Sequence, residues 1–172
     1  QAATGIRHVV VTSVAEYAAG AAAPPRLDGC LTFADLATGE GRAPITRVPI
    51  SPDDVAVLQY TGGTTGLPKG AMLTHRNIFA NVVQTEVYTY RSRTRGEARY
   101  MLVIPFFHIF GFTVGMMKGT WVGATMILFP KFDVDGVLTA VRDFVPTYFP
   151  GVPTIWAALL AHPDAASYGL DR

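Results

Sequence analysis

Short apolar and β-branched runs alternate along this chain with stretches whose apolar positions recur every three or four residues. RHVVVTS (7–13), VAVLQYT (55–61), YMLVIP (100–105) and TMILFP (125–130) have the composition of interior strands, and AML (71–73) reads as a shorter one. Thr74 is placed to cap a helix in which Phe79, Val83 and Val87 recur every four residues, with Ile78 and Val82 beside them. Asp133 is placed to cap another, whose Val134, Val137, Leu138 and Val141 form the i, i+3, i+4, i+7 stripe of a half-buried helix. LTFADLA (31–37) predicts a short helix with Thr32 as its cap, and the Ala, Gly and Pro stretch at 18–25 a connection. TYFPGVP (147–153) predicts a returning strand and turn, and Pro153 suits the first position of a last helix carrying Ile155 and Leu159 on one face, Trp156 and Leu160 beside them. This alternation predicts an α/β fold, a layered sandwich of strands and helices.

One segment fits that pattern less simply. IFGFTVGMMKGTWVGATMILF (109–129) is 21 residues long with a single charge, Lys118, and spaces Gly111, Gly115, Gly119 and Gly123 four apart, the pattern of close transmembrane helix pairing. Lys118 near its middle would cost about 2.5–3.5 kcal/mol in a bilayer. A helix ending near Val122 and a strand from Ala124 would each be too short to span, so a membrane-embedded protein is the minor reading.

With 49% hydrophobic and 16% charged residues in 172, the chain can bury a substantial core, and one domain is the expected count. A net charge of +1 gives no general attraction to nucleic acid or to an anionic membrane. The basic stretch RSRTRGEAR (91–99) lacks interleaved aromatics and reads as a solvated loop. Cys30 stands alone, which excludes an internal disulfide and fits a reducing compartment. QAATGIRHVVVTSV has no basic leader before a long apolar core, so the expected location is the cytoplasm. The chain starts at Gln1 and stops at SYGLDR without an obvious closing element, and it is expected to be part of something longer.

The chemistry concentrates in QYTGGTTGLPKGAML (59–73). Gly62, Gly63, Gly66 and Gly70 let backbone approach a ligand closely, so that successive N–H groups can converge on an anion. Thr61, Thr64 and Thr65 add hydroxyls, and Lys69 adds charge; a plain hairpin needs neither. The combination predicts a phosphate cradle. It is not the G-x-x-x-x-G-K-[ST] loop, because Lys69 follows Pro68, precedes Gly70 and leads into a strand instead of a helix.

YTGGTTGLPKGAMLTHRN resembles the phosphate-loop signature of the acyl-adenylate-forming superfamily, which includes acyl-CoA synthetases, firefly-type luciferases and the adenylation domains of peptide synthetases. PFFHIFG (105–111) is similar to its aromatic-histidine motif near the acyl pocket, and FPGVPTIWAALL (149–160) to the strand, turn and helix that follow. The three motifs stand in the family order over residues 53–160, in forms most similar to medium- or long-chain fatty acid CoA ligases.

The resemblance implies that a fatty acid carboxylate attacks the α-phosphorus of ATP, giving acyl-AMP and pyrophosphate, and that coenzyme A then displaces AMP. ATP, Mg²⁺ and CoA are the implied co-substrates and cofactor, and a lipid substrate would allow peripheral contact with a membrane. On this reading Thr61, Thr64, Thr65 and Lys69 hold phosphates while Gly62, Gly63 and Gly66 shape the backbone; Lys69, Thr65 and His108 are the catalytic set. His108 would orient the acyl carboxylate, in an acyl pocket shared with Phe110, Gly111 and Gly115, the glycines opening a groove. His75, His8 and His162 read as structural. The family's Mg²⁺ glutamate, ribose aspartate and C-terminal lysine do not occur here, so residues 1–172 read as an incomplete AMP-binding N-terminal domain without the C-terminal lid, inactive alone. An aryl-CoA ligase, a fatty-acyl-AMP ligase serving a carrier protein, and a non-catalytic nucleotide-binding module are the alternatives.

Overall fold

The computed structural model describes residues 5–13, 16, 23–38, 46–61, 68–89 and 96–170. They fall into two compact units, Gln1–Pro49 and Ile50–Arg172. In the first, Val10–Val11 (β1) pairs in parallel with Leu31–Thr32 (β2), which leads directly into Phe33–Ala37 (α1). The predicted strand at 7–13 thus narrows to two residues, and the predicted helix yields its first two residues to β2. Thr32 caps α1 as expected, its side chain accepting from the Asp35 N–H at 3.1 Å.

In the second unit, Val55–Thr61 (β3) and Lys69–Thr74 (β4) form an antiparallel hairpin in which Tyr60 faces Gly70 and Thr61 faces Lys69. His75–Thr89 (α2) follows without a break. Thr74 caps it: its Oγ1 accepts from the Asn77 N–H at 3.2 Å, while Asn77 Oδ1 accepts from the Thr74 N–H at 3.0 Å, a reciprocal box that satisfies two exposed donors. The turn at 51–54 docks on the same helix end through Arg76 N–H to Pro52 O at 2.8 Å and a two-pronged Arg76–Asp53 pair at 2.9 and 3.2 Å. The buried face of α2 differs from the expected one. Ile78 and Val82 are buried, whereas Phe79 is 54% and Val87 71% exposed. A strict four-residue repeat drifts by about 40° per step on a helix of 3.6 residues per turn, so such a row winds out of any single interface.

The centre of this unit is Arg99–Leu102 (β5), paired in parallel with Thr125–Leu128 (β6) and bridged in parallel on its other side by Tyr148. Parallel neighbours need crossovers, and helices supply both. The first crossover is a π-helix, Gly111–Met117, running into Lys118–Val122 (α3), which ends at Gly123 with φ +68°. The second is Val134–Phe144 (α4), and Pro153–Leu160 (α5) follows Tyr148. Of TYFPGVP, only the single bridge at Tyr148 has strand character, because its two prolines cannot donate to a ladder.

The pleat of β5 sends alternate side chains into two cores. Met101 and Val103 join Val137, Leu138 and Val141 of α4 and Leu159 of α5; Ala98, Tyr100 and Leu102 join Val122. This is the α/β layering that the sequence predicts. Asp133 caps α4, its Oδ2 accepting from Gly136 N–H at 2.7 Å. At the other end Val145 takes φ 44°, a costly conformation for a β-branched residue. Arg99 stabilises it by donating from Nε to Phe144 O at 2.7 Å and Val145 O at 3.0 Å, so the last arginine of the basic stretch belongs to the sheet.

The 109–129 segment is not a span. It breaks into π-helix, α3 and β6, and among the described residues no helix is long and apolar enough to cross a membrane. Its helix end at Val122 follows the alternative reading, and β6 starts at Thr125.

Candidate active site

The hairpin delivers the ends of the predicted phosphate cradle to one place. Thr61 and Lys69 are cross-strand partners, and Thr61 Oγ1 donates to Lys69 O at 3.4 Å. Both are exposed, and the Lys69 ammonium has no hydrogen bond or ion pair among the described residues. An exposed ammonium on a hairpin rim can form charge-assisted hydrogen bonds to an anionic ligand. Gly62, Gly63, Thr64, Thr65 and Gly66 lie outside the described residues. Gly70 packs over the Tyr60 ring, where a Cβ would stand 3.5 Å from Cζ.

The aromatic-histidine turn lies beside this hairpin. Gln59 on β3 donates from Nε2 to Phe107 O at 3.5 Å and to Tyr60 O at 3.2 Å, joining the strand that enters the cradle to the turn that carries His108. Sequence reasoning passed over Gln59; the available signal was a carboxamide one residue before the motif in an otherwise apolar strand. The turn is closed by His108 N–H donating to Pro105 O at 3.1 Å. His108 is exposed, and its Nδ1 accepts from the Phe110 N–H at 3.1 Å. Acceptance at Nδ1 leaves Nε2 as the N–H edge, directed away from that bond and available to a carboxylate oxygen.

Two recesses flank the helix that follows. Leu73, Asn77, Asn81, Phe110, Thr113 and Val114 line a small one of about 390 Å³. A larger apolar groove of about 860 Å³ runs between β3, α2 and the π-helix, lined by Val57, Ile78, Val82, Phe112, Met117 and Trp121 among others. The expected groove along the glycine row is filled. A Cβ on Gly111 would stand 2.5 Å from Pro105 O, one on Gly115 3.2 Å from Leu102 Cδ2, and one on Gly119 3.1 Å from Met126 Sδ. The row is a surface on which the helix packs against β5, β6 and the 104–105 backbone; of the expected acyl-pocket residues, Phe110 lines a recess and His108 stands two residues before it.

Around these features, few groups are electrostatically perturbed. The hydrogen bond from Arg76, and then its charge, hold the Asp53 carboxyl below its ordinary range. Among the described residues no cluster of three or more His, Cys, Asp or Glu could hold a metal ion. His162 has polar partners that fit a structural role: Nε2 lies 3.1 Å from Asp135 Oδ1 and Nδ1 accepts from Asp164 N–H at 3.2 Å, which ties the end of α5 to the start of α4.

Residues 3–171 match the AMP-binding enzyme family. The long-chain-fatty-acid–CoA ligase of Bacillus subtilis (strain 168) is 44% identical over 140 residues, 81% of this chain and 25% of that ligase. Among solved structures, o-succinylbenzoate CoA synthetase from Bacillus subtilis in complex with ATP and magnesium superposes with a TM-score of 0.64 at 28% identity, over 78% of this chain and 28% of that one. The inhibitor-bound N-terminal domain of FACL13 from Mycobacterium tuberculosis gives 0.67 at 26% identity, over 86% and 37%. The chain belongs to the AMP-binding enzyme family, and its fold is that of part of the N-terminal domain of adenylate-forming enzymes. It spans about a quarter of the length of the curated relatives it matches.

Proposed function

We propose that this chain is the phosphate-gripping and acyl-facing part of an enzyme that activates a fatty acid with ATP and transfers the acyl group to coenzyme A. The observation that supports the reading is the Gln59 contact to Phe107 O, which joins the strand leading to Thr61 and its cross-strand partner Lys69 to the turn that carries His108. A carboxylate is a weak nucleophile repelled by a polyphosphate. Lys69, Thr61 and the residues between them grip the β- and γ-phosphates, drawing charge toward the leaving pyrophosphate, while His108 Nε2–H holds the attacking carboxylate in line. The carboxylate oxygen bonds to the α-phosphorus as the bond to pyrophosphate breaks; the CoA thiolate then bonds to the acyl carbon and AMP leaves. Mg²⁺ would neutralise phosphate charge, held by the nucleotide and by residues elsewhere in the enzyme.

A fatty acid is favoured over an aryl acid by the apolar groove of about 860 Å³, near the upper end of the roughly 300–1,000 Å³ usual for small-molecule sites, and by the 44% identity to a long-chain ligase. The test is carboxylate-dependent ATP–pyrophosphate exchange by the full-length enzyme with saturated fatty acids of increasing length, 4-coumarate and o-succinylbenzoate, followed by thioester formation with CoA. Exchange with fatty acids and thioester release are expected. Exchange with aryl acids alone would overturn the substrate class, and exchange without thioester would replace CoA by another acceptor.

A further inference from the structure

Lys118 is fully buried, and no step above uses it. Its Nζ donates to Thr89 Oγ1 at 2.6 Å and to Thr85 O at 3.4 Å, lies 3.8 Å from Glu86 Oε2, and sits 4.5 Å from the Tyr148 ring centroid. Glu86 Oε2 is itself buried without a hydrogen-bond partner among the described residues, and the ammonium is the charge that faces it there. The ammonium is wholly out of water while the Glu86 side chain keeps 24% of its exposure; burying the lysine is costly, and a methionine would fill the same space without that cost. What a buried pair does supply is register: only one alignment of the two helices brings the charges together.

The helix whose register is at stake is unusual. Lys118 directly follows the π-helix Gly111–Met117, whose wide turns are rarer and less favourable than α winding. At its start Gly111 is wedged under the Pro105 and Ile104 carbonyls, where a Cβ would be 2.5 and 2.8 Å away. At its end Lys118 is tied to the last turn of α2. Between the two fixed points, Phe112 and Met117 line the large groove while Thr113 and Val114 line the small recess. Relaxation to α winding would rotate these four side chains relative to both recesses.

We propose that Lys118 is a positioning residue that determines acyl-chain specificity: by pinning the π-helix to α2 it sets which side chains wall the two recesses. The proposal rests on the acyl-activating reading above. It is tested in the full-length enzyme with Lys118→Met and with Glu86→Gln, which removes the carboxylate charge while keeping its shape. Four quantities are measured: the ratio of kcat/KM between the longest and shortest fatty acids accepted, KM for ATP, the thermal midpoint, and the ¹⁹F resonance of Trp121 in 5-fluorotryptophan protein, assigned by its loss in Trp121→Phe. Trp121 lies three residues beyond Lys118 and meets Phe79 of α2 edge-on at 5.3 Å, so it reports the register without any turnover.

Both variants should move the Trp121 resonance and change the chain-length ratio by about tenfold, the scale of a methylene or so of pocket contact, with KM for ATP nearly unchanged, while each lowers the thermal midpoint by leaving the partner's charge uncompensated. An unchanged ratio overturns the specificity role, even where the resonance moves. A fall in thermal midpoint with both ratio and resonance unmoved reduces Lys118 to ordinary core packing. Should Lys118→Met fail to fold, Glu86→Gln decides by the same criteria. An enzyme that takes no fatty acid refutes the acyl reading and the specificity role with it, while the resonance still decides whether the pin exists.

Discussion

Replacing Gly111 by alanine adds one methyl group where the chain has no room for it. The new Cβ would stand 2.5 Å from Pro105 O, 2.8 Å from Ile104 O and 3.1 Å from Pro105 C. These are backbone atoms, which cannot rotate aside as the end of a side chain can, so the turn at 104–108 must move. Overpacking typically costs about 1–3 kcal/mol, and a rigid contact belongs at the upper end; alanine's better helix propensity returns roughly 1 kcal/mol. The net expectation is a loss of about 2 kcal/mol. Gly115 gives the control, since it is buried in the same π-helix. Its added Cβ would meet Leu102 Cδ2 at 3.2 Å and Phe106 Cε1 at 3.6 Å, both flexible ends, so propensity and crowding should cancel to within about 0.5 kcal/mol.

The same displacement reaches the chemistry. Pro105 O accepts the His108 N–H at 3.1 Å, so pushing that carbonyl moves the backbone on which the imidazole is mounted. Gly111→Ala should therefore lower both the urea midpoint of the full-length enzyme and its rate of acyl-dependent ATP–pyrophosphate exchange, while Gly115→Ala spares both. Equal midpoints and equal exchange rates for the two variants would refute the wedge, and with it the reading of the glycine row as a packing surface.

Lys69→Ala should slow adenylation by about 10²–10³, the scale of one preorganised donor, without shifting the thermal midpoint, because the ammonium makes no contact among the described residues; parental exchange rates would remove it from phosphate binding. Asp53 should titrate below its ordinary value of 3.8, because Arg76 hydrogen-bonds to and attracts its ionised form. A carboxyl depressed on folding contributes stability above its unfolded pKa and loses it as pH falls through the lower folded value, so Asp53→Asn should narrow the stability difference only in acid. A carbon-detected titration placing Asp53 at or above the ordinary value would contradict the pair.

How much of this was readable in the sequence follows from how many faces each element buries. α4 was readable in full, cap and stripe together, because it rests one face on one core and turns the other to solvent. The hairpin was readable from its β-branched and aromatic run, since β3 occupies the predicted 55–61 although none of its residues is buried. The membrane-like pattern at 109–129 arose because a helix covered on several sides and an apolar, half-exposed strand run together without polar punctuation, and the clue against it was Lys118, whose partners Thr85, Glu86 and Thr89 stand some thirty residues earlier. Gln59 carried only the signal of a carboxamide in an apolar strand, and its partner could not be read, because that partner is a backbone carbonyl 48 residues away, which no local pattern encodes. If one-faced burial is what made α4 readable, then its energetics should be equally one-sided. Leu138, with no exposed surface between β5 and α5, should cost about 2–5 kcal/mol as Leu138→Ala, and Asp133→Ala about 1 kcal/mol through the lost Gly136 N–H bond. Asp143 on the outer face pairs, among the described residues, with its neighbour Arg142 at 2.8 Å, both side chains about half exposed, and Asp143→Ala should leave the midpoint unchanged. Urea midpoints of the three variants decide it; an Asp143→Ala loss as large as that of Leu138→Ala would show that both faces of α4 are covered in the whole enzyme, and the one-face argument would fail.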